Sequence, residues 1–127
     1  MVSTPGKSMI IAPEQLQQVY AYCPVPVLMV NYTATIVWAN HAAGALSGQS
    51  VTELIGADFF RIYHDPSVAA NNRNGLLRGE ELRGADFEGI TVNGQQIFVL
   101  ADSMIFTDTL DSRYTLLFLK DISARKK

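Results

Sequence analysis

The period of the apolar positions changes twice along the chain. Leu16, Val19, Tyr20 and Cys23 recur at helical spacing behind Pro13 and Glu14, both suited to a first helical turn. They predict a short amphipathic helix over 13–23, ended before Pro24. Val25 to Tyr32 is then a β-rich apolar run, Thr33-Ala34-Thr35 can turn it, and Ile36-Val37-Trp38-Ala39 returns as the second strand of a hairpin. If Val37 and Ala39 face one side of that hairpin, alternation sends Trp38 to the other.

Short helices follow, each announced by its cap. Asn40 can cap a helix through Leu46, with Gly48 just beyond its end. Ser50-Val51-Thr52-Glu53 has the spacing of a capping box, in which serine and glutamate each satisfy a free amide of the first turn. Asp58 to Tyr63 predicts a third short helix, and Asp65-Pro66 starts a fourth that runs to about Arg78. Asn71, Asn72, Asn74 and Gly75 are poor helix formers, so this fourth helix should be the least rigid element of the core. From Leu82 the period falls to two. Phe87 to Val92 and Gln95 to Phe106 flank Asn93-Gly94, a type I′ hairpin signal, and Thr107 to Ser112 loops into a last strand, Arg113 to Lys120. Both parities of the last two strands are apolar, so both faces of their sheet must be covered. Two strands, several short helices and three strands predict an α+β fold.

Composition sharpens this picture. One domain accommodates 127 residues, and a hydrophobic content of 48% gives it a real core. Residues 1–12, with Ser3, Pro5 and Gly6, read as a flexible leader. Charged residues are 17% against about 25% in an ordinary domain, which predicts apolar surface covered by another chain or segment. No Lys or Arg lies between Lys7 and Arg61, so the clustered cations that nucleic acid requires are absent. The acid-rich stretch from Glu80 to Asp111 reads as a solvated sheet edge rather than a metal site. No run approaches the roughly 18 apolar residues of a membrane span, so a cytoplasmic segment without membrane contact is expected. The single cysteine, Cys23, excludes an internal disulfide or a Cys-pair zinc site. With no cation beside it in sequence, it reads as a packing residue.

Several pieces occur in a set order between about Pro24 and Arg125. The hairpin Val27 to Asn40 ends in Trp38-Ala39-Asn40-His41-Ala42-Ala43, and Leu46-Ser47-Gly48, Glu53-Leu54-Ile55-Gly56, His64-Asp65-Pro66 and Asp121-Ile122-Ser123 follow. In this order and at these spacings the chain resembles the PAS sensory domain family. Asn31, where the family often has Asp, and Ala34, where the turn often has Gly, depart from the pattern and bear on turn geometry. The resemblance implies a five-stranded antiparallel sheet with short helices across one face. Between them it implies a cavity that in many members holds a small ligand or cofactor. It also implies a signal passed to an output domain in cis, of the histidine kinase, cyclase or chemoreceptor type. On this frame the sensory domain spans 24–122, the helix 13–23 covers the outer sheet face, and 123–127 starts a C-terminal signalling helix.

Strand parity and short-helix positions then give an expected cavity wall of Leu28, Val30, Val37, Ala39, Ala43, Leu46, Phe59, Ile62, Leu76 and Leu77. Asn72 and Arg73 are the candidate polar contacts to a small-molecule ligand. Leu16, Val19, Tyr20 and Trp38 are the expected outer face, where a homodimer would form. Asp121, Ile122 and Ser123 are the expected signal exit, with Ser123 as the helix cap.

A haem-binding member would offer a histidine within the fourth helix. Residues 67–78 contain none, and His64 reads as a turn residue, so haem is disfavoured. A flavin-adduct photoreceptor needs a cysteine near that helix, whereas Cys23 precedes the first strand. The adduct is excluded, noncovalent flavin stays open, and the cofactor is unknown. Two other classes compete with a ligand sensor: a ligand-free dimerisation scaffold, and a small cone-fold enzyme using Asp102 as a buried base. No tyrosine or second acid in a fitting order accompanies Asp102, so no catalytic residue and no enzyme activity is expected of this chain.

Overall fold

A computed structural model describes residues 9–91 and 93–126. In chain order it contains β1 (Met9–Ile10), α1 (Pro13–Tyr20), β2 (Val27–Asn31), β3 (Ile36–Ala39), α2 (His41–Ser47) and α3 (Val51–Leu54). A 3₁₀ turn (Phe59–Ile62), α4 (Pro66–Leu77), β4 (Ala85–Ile90), β5 (Gln96–Thr107), β6 (Arg113–Asp121) and a second 3₁₀ turn (Ser123–Lys126) complete it. The fold is α+β, as the order of elements predicts.

The helices begin where side-chain oxygens meet free amides. Asn40 Oδ1 accepts from Ala43 N at 3.0 Å, and Ser50 and Glu53 form the full capping box, with bonds of 3.2 and 3.0 Å. Asp65 Oδ1 accepts from Ser67 N at 2.9 Å ahead of Pro66, the first residue of α4. Gly48 closes α2 at φ +77°. Asp58 caps the third short helix, which is of the 3₁₀ type, its Oδ1 accepting from Phe60 N.

The sheet has six strands rather than five. Its order is β1-β5-β6-β2-β3, and β5 is long enough to pair also with β4 along its first half. Met9 and Ile10 pair parallel with Phe106 and Thr107, so the sheet is not wholly antiparallel and part of the expected leader is a strand. The leader's residues 1–8 lie outside the described residues, as do Val92, at the end of an expected strand, and Lys127, in the expected signalling helix. Helix α1 ends at Tyr20, not at Cys23. The β4–β5 loop is also longer than a two-residue turn. Gly94 sits at φ +80° and donates to Thr91 O, so the loop runs from Thr91 to Gln95.

Alternation along the strands divides the apolar residues between two cores. On the inner face, under α2 to α4, lie Leu28, Val30, Ile36, Ala39, Phe87, Ile97, Val99, Ala101, Leu117 and Leu119. On the outer face Val27, Met29, Phe106 and Leu116 are covered by Leu16 and Tyr20 of α1, and Tyr20 meets Phe118 edge-on at 5.3 Å. One expected inner residue changes sides. The register of β2 on β3 slips between Met29 and Val30, and this β-bulge places Val37 beside Trp38 on the outer face while Ile36 and Ala39 face inward. Val19, expected on the outer face, is 69% exposed and takes no part in α1 packing.

Candidate functional site

Two enclosed volumes lie between the helices and the inner sheet face, beside a more open groove of about 380 Å³ that runs past Ile36, Ser47, Leu54, Asp58, Tyr63 and Ile90. The first, of about 20 Å³, is walled by Leu28, Ile36, Ala43, Leu46, Leu54, Phe59, Ile62, Ile90, Ile97 and Leu119, with Ser47 as its one polar residue. It holds at most about one water and no organic ligand. The second is a cleft of about 110 Å³ beneath the C-terminal half of α4. Its floor is Ser103 of β5 with Thr115 and Leu117 of β6, and its walls are Phe59, Phe60, Asn71, Asn72, Gly75 and Leu76. The segment from Arg78 to Leu82 forms the rim, contributing Arg78, Glu80, Glu81 and Leu82.

The ten expected wall residues are dispersed by this arrangement. Leu28, Ala43, Leu46, Phe59 and Ile62 line the small apolar cavity, and Phe59 and Leu76 line the polar cleft. Val30 and Ala39 are buried in the inner core without lining either volume. Val37 is on the outer face, and Leu77 is 47% exposed. Successive helical positions differ by about 100° around the axis, so burying Leu76 turns Leu77 away.

The same rotation separates Asn72 from Arg73. Asn72 lines the cleft, and its Nδ2 donates to the Tyr63 hydroxyl at 3.0 Å. Arg73 points elsewhere: it forms an ion pair with Asp58, and its guanidinium lies over the Phe60 ring at 5.0 Å from the centroid. Together these contacts clamp α4 to the 3₁₀ turn. Tyr63 is stacked on Phe87 at 3.9 Å, and burial pushes its hydroxyl pKa up to about 12 against the opposing effect of the Asn72 bond.

Charges at the rim are paired. Arg78 reaches Glu80 through two bonds of 3.0 and 3.2 Å, which hold the Glu80 carboxyl below the usual carboxylate range. Glu81 accepts from Ile105 N at 2.8 Å and pairs with Arg83. Arg113 donates to the Leu76 and Leu77 carbonyls at the end of α4. Of the other candidates, Asp102 is exposed and accepts from Gly84 N at 2.7 Å. His64 lies in the turn before α4, its Nε2 3.4 Å from Glu88. Neither histidine lines either volume. Cys23 is half-buried between α1 and β2, away from the inner core. Among the described residues no three His, Cys, Asp or Glu side chains cluster to hold a metal, and no helix is long and apolar enough to cross a membrane.

Ser103 and Thr115 escaped sequence reading as site residues. The signal was there, since each is a hydroxyl residue at the inward parity shared with Val99 and Ala101 or with Leu117 and Leu119. At the exit, Ile122 is 4% exposed and its amide donates to Phe98 O at 2.8 Å. Ser123 heads a 3₁₀ turn, and its hydroxyl accepts from Phe98 N at 3.0 Å instead of from a helix amide.

Known proteins bear this architecture out. Residues 24–124 match the family model for the PAS domain. A PAS domain from a two-component sensor histidine kinase is 11% identical, covers 85% of this chain and 94% of its own, and superposes with a TM-score of 0.70. The PAS domain of the fruit-fly ELK potassium channel is 14% identical over 87% of this chain and 96% of its own, with a TM-score of 0.75. An RNA-binding light-oxygen-voltage receptor is 18% identical over 98% of this chain and 38% of its own, with a TM-score of 0.76. No curated protein sequence matches the chain.

Proposed function

The chain belongs to the PAS domain family, and on that premise we propose that it is a ligand-responsive sensory module rather than an enzyme. A small molecule entering the α4 cleft changes how α4 packs on the sheet. The change leaves through Asp121, Ile122 and Ser123 to an output domain in cis, of the histidine kinase or cyclase type, in the cytoplasm. One observation carries this reading: the inner face has a polar cleft beneath α4, the helix richest in poor helix formers, and the two strands that floor the cleft are the ones pinned together at the expected exit. A ligand shifts such an equilibrium only by its differential affinity for the two arrangements.

A permanent occupant tests the relay without a ligand. Thr115→Leu fills the cleft from its floor. Hydrogen exchange should slow at the α4 amides and change at Ile122 and Ser123. Unchanged exchange at the exit would sink the relay.

A second reading is the ligand-free homodimeric scaffold. The near-filled apolar cavity favours it, as do Val19 and Tyr22, which are 69% and 98% exposed beside the outer core. Concentration-dependent dimerisation in sedimentation, together with an exit indifferent to Thr115→Leu, is the result this reading requires.

A further inference from the structure

Building on the ligand-sensing reading, we propose that the α4 cleft selects a small uncharged molecule of the carboxamide class. Size sets the first bound. An apolar cavity of about 150 Å³ holds benzene, so about 110 Å³ admits roughly four to five heavy atoms. Planar cofactors such as flavin and haem are far larger.

Hydrogen-bonding capacity sets the second. Ser103 is 3% exposed; its hydroxyl accepts from Leu82 N at 2.7 Å and keeps its own proton to donate. Thr115 is 4% exposed, and its hydroxyl has no hydrogen-bond partner among the described residues. Every fully enclosed side-chain polar atom among those residues does have one, so the Thr115 hydroxyl is in touch with the open volume of the cleft. Asn72 gives one of its two amide hydrogens to Tyr63 and retains the other, with its carbonyl oxygen as an acceptor. With the exposed Asn71 side chain at its wall, the cleft thus presents two hydroxyls and two side-chain carboxamides. A carboxamide, with an acceptor oxygen beside a donor nitrogen, complements that set.

Charge sets the third. Arg78 and Glu80 neutralise each other at the rim, Glu81 is held by Ile105 N and Arg83, and Arg113 is spent on helix carbonyls. Among the described residues that line the cleft, no cation lacks a carboxylate partner and no carboxylate lacks a cation. A charged ligand would enter without a partner for its charge.

Amide NMR of the whole chain, titrated with propionamide, propionate and propylammonium, tests this. Propionamide should give saturable shifts at Asn72, Leu82, Ser103 and Thr115, with affinity in roughly the micromolar to millimolar range that so small a ligand permits. Thr115→Val should weaken binding at least about fivefold, and Thr115→Ser should restore it. Equal or tighter binding of either charged probe, no effect of Thr115→Val, or no saturable shift at all would overturn the ligand class. The relay stands or falls separately, because Thr115→Leu reports on it with no ligand present.

Discussion

Asn40 shows how much one buried side chain can organise. It is 2% exposed, and its Oδ1 accepts from both Val27 N and Ala43 N at 3.0 Å. Its Nδ2 donates to the carbonyls of Tyr20, Cys23 and Val25 at 3.0, 3.4 and 2.9 Å. One carboxamide therefore ties the end of α1, the start of β2 and the start of α2. Asn40→Ala orphans the buried Val27 amide and leaves the Ala43 amide only the Asn40 main-chain carbonyl at 3.1 Å, and a loss of about 2 kcal/mol or more in urea unfolding is expected. Tyr63 makes a pH-dependent prediction. Its folded pKa of about 12 lies above its ordinary value of 10.0, chiefly through burial, so its contribution is full below pH 10 and is lost as pH rises toward 12. Stability should fall in that window by up to about 1.4 kcal/mol per pH unit. Tyr114 is shifted in the same direction, so Tyr63→Phe should flatten the alkaline limb without abolishing it, as followed by thermal midpoints against pH.

At the scale of elements, the caps and strands were legible because each signal is local. Asn40, Ser50 and Asp65 satisfy amides within three residues of themselves, and parity needs only the neighbouring side chains. What escaped the sequence is set by partners distant along the chain. The bulge that moves Val37 outward lies in the pairing of β2 with β3, and β1 exists only because β5 outruns β4. The rotation of α4 that divides Leu76 from Leu77 is likewise fixed by packing, since the helix has apolar residues at both positions. Gly44 gives no hint in sequence of its role, yet a Cβ there would meet the Gln49 carbonyl oxygen at 2.7 Å. The expected weakness of α4 makes a prediction of its own. Asn74 is exposed and its side chain caps nothing, so Asn74→Ala should stabilise the fold by about 0.5 kcal/mol. Slower exchange confined to α4 amides would accompany that gain; an unchanged α4 would mean that propensity does not limit it.

Across the whole molecule, β5 and β6 join the cleft to the proposed exit. Ser103 and Thr115 floor the cleft, while Phe98 and Ile122, on the same strands or their continuation, hold the exit through bonds of 2.8 and 3.0 Å that also engage Ser123. Thr115 and Asp121 lie about 20 Å apart at the rise of a strand. Substitutions that far apart ordinarily add within about 0.3 to 0.5 kcal/mol. A relay forbids this, because coupling between two sites is reciprocal: filling the cleft must change the exit by as much as loosening the exit changes the cleft. Ser123→Ala frees the Phe98 amide and should cost about 1 kcal/mol alone. Combined with Thr115→Leu it should depart from additivity by more than about 0.5 kcal/mol in unfolding free energy, with matching changes in α4 exchange. Strict additivity would mean that the sheet holds cleft and exit as independent parts, and that no signal crosses between them.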